Sequence, residues 1–230
     1  MPPLESKNPF DAPILAALKR NLHITDNELD AIRDRTMPLP TLDELALKHS
    51  TDKNSTGHNY TPHYDQLFTP LRHQPITLLE LGYLEGASAK TWAEYFTHPD
   101  RRIIMIDIGH YLPKTDHDSV HLYPDTDQTD VDKLTKIHQL HGDYHIIIDD
   151  AGHNPQKILA SYEILFPMLK PGGHYIIEDT HSSNAIQELN RYFKIFIDER
   201  QWWIGVESIT YRYDLIIIRK TKATDGIQQR

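Results

Sequence analysis

The sequence predicts an α/β fold, a doubly wound sheet with helices on both faces and an antiparallel hairpin at its C-terminal end. Three observations predict it. Apolar runs of strand length recur from Ile76 onward, as ITLLEL, RIIMIDI, YHIIIDD and HYIIEDT. Stretches of helical character separate them, the alternation expected of a parallel sheet. The runs show no polar alternation, so both of their faces are expected to be covered.

The elements follow in order. Asp26 to Arg35 reads as a short capped helix stopped by Pro38 and Pro40. Thr41 caps the next helix, with Glu44 at the capping-box position, and that helix ends near His49. STDKNSTGHNYTPHY, residues 50–64, is polar and carries turn residues, so it reads as a loop. Its His58, Tyr60 and Tyr64 are candidates to fold over a ligand and exclude water. ITLLEL is the first strand, GYLEGAS a turn, and a helix then runs to Phe96. RIIMIDI is the second strand and HLY, ahead of Asp125, a weaker third. Val131 to His141 is a helix and YHIIIDD the fourth strand. Asn154 to Leu169 reads as a helix ended by Lys170-Pro171-Gly172-Gly173, followed by HYIIEDT as the fifth strand. Ala185 to Phe196 is a helix, and QWWIGVESITYRYDLIIIRK makes two strands, one of them Asp214 to Lys220. The implied division is a helical extension at 1–50, a loop or lid segment at 51–75, one sheet domain at 76–220 and a polar tail at 221–230.

Composition removes several function classes. At 230 residues the chain fits one α/β domain with an extension. A formal net charge of −9 argues against nucleic acid and anionic membrane surfaces, which call for clustered cations. With no cysteine there is no disulfide, thiolate metal site or thiol nucleophile. The start MPPLESKNPF lacks a basic region followed by an apolar run, and no apolar stretch approaches the roughly 20 residues of a membrane span. The expectation is a soluble cytoplasmic protein. Trp202-Trp203 read either as core or as a contact of the homo-oligomer that is expected.

The turn after the first strand, Glu80-Leu81-Gly82-Tyr83-Leu84-Glu85-Gly86, places Gly82 and Gly86 where a backbone must turn sharply and approach a ligand. It lacks the GxGxxG spacing of dinucleotide sites and the Lys and Ser/Thr of a P-loop. Glu80 would repel a pyrophosphate but suits a cationic ligand. S-adenosylmethionine, with its ammonium and sulfonium, is such a ligand. Asp107 ends the second strand, where ribose hydroxyls are held in nucleotide-binding sheets.

Asp149-Asp150 and Glu178-Asp179 end the fourth and fifth strands, the edge of an open α/β sheet at which ligands bind. If those strands are neighbours, the carboxylates converge and repel one another unless a cation lies between them. Oxygen donors without thiolates favour a hard ion such as Mg²⁺. Successive strand residues face opposite ways, which assigns Asp150 to the metal and Asp149 to the cofactor's methionine end. His153 follows in the next turn and is the candidate base, since an imidazole can accept a proton near neutral pH.

These residues resemble a known family. STDKNSTGHNYTPHY, LLELGYLEGAS, MIDI, DTDQTD, IIIDDAGH and LKPGGHYIIEDTH are similar to class I S-adenosylmethionine-dependent methyltransferases, in particular the metal-dependent macrolide sugar O-methyltransferases. The resemblance runs from about Leu45 to Asp179. It implies a Rossmann-like methyltransferase sheet, with Asp150, Glu178 and Asp179 on Mg²⁺, His153 as general base, and Asp127 and Gln128 near the adenine. The chain has DDAGH where the family usually has DDGSH. The resemblance does not extend to the substantial N-terminal auxiliary domain of the mycinamicin member, so the acceptor is expected to be a small molecule with a hydroxyl or diol, a sugar or glycosylated natural product of secondary metabolism, without a macrolide being implied. The alternatives are catechol O-methylation, a metal-dependent hydrolase, an NAD-dependent oxidoreductase and a non-catalytic scaffold.

Overall fold

The structure is a computed structural model that describes residues 39–110, 113, 115–180, 187–193, 205–212 and 214–222. The chain divides into two units, Met1–Pro40 and Thr41–Arg230. The first lies almost wholly outside the described residues, and with it the helix expected at Asp26 to Arg35. Trp202 and Trp203 also lie outside them.

Helix α1 (Leu42–His49) starts on the expected capping box. The Thr41 side chain accepts from the Glu44 backbone N–H, and the Glu44 carboxylate accepts from that of Thr41 at 2.7 Å. The sequence alone places this helix in the extension, yet Leu42 and Leu45 are buried in the core of the second unit. Helix α2 (Thr61–Phe68) lies inside the stretch read as a loop, and Pro62 suits its first turn. Then come β1 (Thr77–Leu81), α3 (Ala87–Tyr95), β2 (Arg102–Ile106) and β3 (Val120–Tyr123). They are followed by α4 (Val131–His141), β4 (Tyr144–Asp149), α5 (Pro155–Leu165) and β5 (Leu169–Ile177). Residues 187–193 are helical, and β6 (Val206–Arg212) and β7 (Leu215–Lys220) close the described part.

The fifth strand differs from expectation at its start. Lys170-Pro171-Gly172-Gly173 does not end a helix but lies within β5, and α5 stops at Leu165. The pairing explains this. Tyr144 pairs with Leu169 and Ile146 with His174, so β5 carries extra residues between the two contacts as a bulge. Gly172 takes the positive φ of 80° that the bulge needs.

The sheet order is β3-β2-β1-β4-β5-β7-β6. The first five strands are parallel, and β7 pairs antiparallel with β5 and with β6. The chain order reverses between β1 and β4, so the switch point of the sheet lies beside the turn that leaves β1. All five residues of β1 are buried, as a central strand requires. Alternation divides the core into two layers. Leu78, Ile146, Ile148 and Ile176 face α1, α2 and α3. Leu79, Leu81, Ile147 and Ile177 face α4, α5 and the helix at 187–193.

Histidines within this frame predict its acid response. Burial, aided by the Lys170 charge, lowers the pKa of His145 to about 4, and its Nδ1 accepts from the Thr77 backbone N–H at 2.9 Å. Burial beside Arg219 does the same to His174, to about 4. A folded pKa below the unfolded value of about 6.5 gives stability that is present above pH 6.5 and lost as pH falls through 4. Tm is therefore expected to drop between pH 7 and pH 4.5. His145→Asn, whose amide oxygen keeps an acceptor for Thr77, should show a smaller drop in thermal melts at both pH values.

Candidate active site

The carboxyl ends of β1, β2, β4 and β5 line up because their hydrogen-bond ladders continue past the strands. Asp150 N–H donates to Leu81 O at 3.0 Å, Glu178 N–H to Asp149 O at 3.0 Å, and Gly82 N–H to Ile106 O at 2.9 Å. A cleft of about 640 Å³ opens there, lined by the STDK segment (Ser50 to Lys53), the β1 turn and the residues after β2, β4 and β5.

Gly82 is at φ 99°, and a Cβ on it would lie well inside 3.0 Å of the Asp150 carbonyl oxygen. Gly86, at φ 76°, has the Tyr83 ring where its Cβ would be. Asp107 lines the cleft and fastens the β1 turn. It accepts from the backbone N–H groups of Tyr83 (2.8 Å), Leu84 (3.3 Å) and Gly109 (2.7 Å). Leu84 and Ile108 stand exposed at the rim, 83 % and 67 % accessible, and give it apolar walls. Asp127 also lines the cleft, and its 2.6 Å hydrogen bond from Lys157 holds its pKa down, at about 2.

The two acids of the first pair part company as alternation requires. Asp149 does not line the cleft. It is buried on the α5 side, where Gln128 (3.2 Å), Ser161 (2.5 Å) and Tyr175 (3.2 Å) donate to it. Burial raises its pKa to about 6 against those hydrogen bonds. Gln128 therefore touches both the cleft and Asp149. Asp150 stays on the cleft, with His153 and Asp179. These three offer ligand atoms all within 4.8 Å of one another, a donor set able to hold a cation. His153 Nε2 is 3.5 Å from Asp179 Oδ2. Both residues sit at positive φ, 49° and 54°, a conformation rare outside glycine that marks local strain.

Glu80 and Glu178 lie behind this front, fully buried and off the cleft lining. Glu80 accepts from the Trp92 indole N–H at 2.7 Å. The cation it faces is the protein's own: Lys53 Nζ is 3.4 Å from Glu80, 2.5 Å from Asp150 and 2.6 Å from Glu178. Burial alone would push the Lys53 pKa down, but the Asp150, Glu178 and Glu80 carboxylates outweigh it and hold it well above the ordinary value. Burial raises the Glu80 pKa to about 7 in spite of Lys53. Sequence reasoning missed Lys53. A lysine in a polar stretch reads as solvated, and its partners Asp150 and Glu178 are 97 and 125 residues away.

The three aromatic residues of the same segment reach the acids too. Tyr64 donates to Glu178, Tyr60 donates to Asp179 at 2.7 Å, and His58 Nδ1 is 3.0 Å from Asp179. Burial raises both phenol pKa values, so both remain donors. Their side chains brace the carboxylates and do not line the cleft.

The chain is similar to known proteins in sequence and in fold. No family model matches the chain. It is 37 % identical over 157 residues to an 8-demethyl-8-(2-methoxy-α-L-rhamnosyl)-tetracenomycin-C 3'-O-methyltransferase of Streptomyces olivaceus, 64 % of this chain and 39 % of that protein. It is 32 % identical over 192 residues to an L-olivosyl-oleandolide 3-O-methyltransferase of Streptomyces antibioticus, 80 % of this chain and 46 % of that one. The chain thus spans less than half the length of these relatives. In structure it is similar to the MycE methyltransferase of the mycinamycin biosynthetic pathway, solved with Mg and SAH. The TM-score is 0.71 at 25 % identity, covering 96 % of this chain and 66 % of that one. By sequence and by fold, the chain is a homologue of class I methyltransferases of the kind that O-methylate antibiotic sugars.

Proposed function

We propose that the chain is an Mg²⁺-dependent O-methyltransferase that moves a methyl group from S-adenosylmethionine to a hydroxyl of a sugar on a glycosylated small molecule. One observation carries the reading. A single cleft at the switch point holds the glycine turn, the ribose-type acid Asp107 and the Asp150–His153–Asp179 group. The names of the relatives support the sugar acceptor.

Each residue has a task on this reading. Gly82 lets the backbone come close to the cofactor, and Asp107 accepts from its ribose hydroxyls. Leu84 and Ile108 flank the adenine, with Asp127 and Gln128 at its edge. Asp149 acts from behind, by fixing Gln128. Asp150, Asp179 and Glu178 supply oxygen donors that suit a hard ion. What Mg²⁺ supplies when bound is Lewis acidity, which lowers the pKa of an alcohol oxygen. An oxygen-preferring ion leaves the His153 imidazole free to take the acceptor's proton as the oxygen attacks the sulfonium methyl carbon, with S-adenosylhomocysteine leaving. The protein's contribution is alignment and charge stabilisation.

Calorimetry with S-adenosylmethionine should give saturable binding, and NAD should give none. The reverse would replace the reading with an oxidoreductase. In turnover assays EDTA should abolish methyl transfer and Mg²⁺ restore it, whereas full activity in EDTA would remove the metal. A screen of glycosides against catechols should return product on the glycosides, and turnover confined to catechols would move the acceptor.

A further inference from the structure

On the reading above, Asp150, Glu178 and Asp179 serve a divalent ion, yet the structure has two of these acids already engaged. Glu178 is buried, with one oxygen accepting from Tyr64 and the other from Lys53 at 2.6 Å. Asp150 takes a 2.5 Å hydrogen bond from the same ammonium. Lys53 is itself only 2 % exposed, so its charge is neutralised by these neighbours and not by water.

The third neighbour is unusual. Glu80 Oε1 is 3.4 Å from Lys53 Nζ, is buried, and has no hydrogen-bond partner. An orphaned carboxylate oxygen is costly to bury. It lies within a small movement of an ammonium that is bonded elsewhere. The carboxylates of Glu80, Asp150 and Glu178 thus all face the one ammonium of Lys53. Asp179 is held separately by Tyr60 and His58.

We propose that Lys53 is the resident counter-ion of the metal site. Without metal it gathers Asp150 and Glu178. When a divalent ion binds, it gives up both and moves onto the waiting oxygen of Glu80. Lys53 is thus a positioning residue. It keeps the carboxylates converged, and metal binding includes an exchange of cations.

The proposal rests on the metal reading, and calorimetric titration of the full chain with Mg²⁺ tests the two separately. Lys53→Met removes the competitor, so Mg²⁺ should bind about tenfold more tightly or better than to the parent chain. Glu80→Gln removes the refuge while keeping shape, so Mg²⁺ should bind about fivefold more weakly or worse. In the Lys53→Met background the Glu80→Gln effect should vanish, because it acts through Lys53. Unchanged or weaker binding in folded Lys53→Met overturns the proposal, as does a Glu80→Gln loss that persists in the double variant. If Lys53→Met does not fold, unchanged affinity in Glu80→Gln overturns it alone. If the parent chain binds no divalent ion, the metal reading falls and this proposal with it.

Discussion

Replacing His153 with alanine is expected to lower methyl-transfer turnover by about 10²- to 10⁴-fold, while S-adenosylmethionine binding stays within about twofold of the parent. The size follows from the role. A placed base acts only as the acceptor oxygen loses its proton, so its removal is felt in the transition state and not in cofactor affinity. His153 is 40 % exposed at the cleft and 3.5 Å from Asp179 Oδ2, which can orient the ring and stabilise the imidazolium that forms. The positive φ of His153 has a second consequence. Histidine tolerates that region better than most residues, so alanine adds a small strain. Thermal melts of the variant should therefore show a modest fall in Tm, too small to account for the lost turnover. Single-turnover rates with labelled cofactor, read against calorimetric affinity, separate the two effects. Near-parental turnover would take the base role from His153 and leave it as a possible nitrogen ligand to the cation.

The parts of this molecule that were legible in the sequence are those set by local physics. The Thr41 and Glu44 capping box is a four-residue pattern, and it is present as read. The apolar runs marked the four central strands because a strand buried on both faces has no polar alternation to obscure it. Alternation separated Asp149 from Asp150, and the two do point into different layers, but Asp149 is buried off the cleft where the sequence put it at the cofactor's methionine end. What was hidden depends on distant partners. TPHYDQLF has a short helical stripe, Tyr64, Leu67 and Phe68, but it follows a polar, turn-rich stretch that hides it. Its helix is held by aromatic contacts, Phe68 stacking 5.1 Å from Tyr64 one turn back in the same helix and meeting Trp92 of α3 edge-on at 5.8 Å. Lys-Pro-Gly-Gly is a strong local stop signal, but the register of β4 absorbs it as a bulge. The site residues follow the same division. The strand-end acids were visible by position, whereas the depth of Glu80 and Glu178 and the lysine between them exist only once α1, α2 and the sheet are assembled.

Gly82→Ala is expected to abolish saturable cofactor binding and to lower Tm markedly, although it adds one methyl group. Two costs combine. A non-glycine residue in a left-handed conformation costs about 1–2 kcal/mol. The new Cβ would also sit well inside contact distance of the Asp150 carbonyl oxygen, and a backbone carbonyl cannot swing aside as a side chain can. Relief requires β1 and β4 to separate at their carboxyl ends. The Asp150 N–H to Leu81 O bond would then break, and Asp150 would leave the group it forms with His153 and Asp179. The substitution therefore strikes the cofactor turn and the acids at once. Gly142→Ala is the control. Gly142 also has positive φ, 76°, but nothing lies within 4 Å of its Cβ position, so that variant carries strain without collision. It should lose some Tm and keep cofactor and Mg²⁺ affinity. If Gly82→Ala behaves like Gly142→Ala in calorimetry, the close approach of the β1 turn to Asp150 is not what assembles the site. If it loses both ligands while Gly142→Ala keeps them, the contact between these two strand ends is what joins the cofactor half of the cleft to the acidic half.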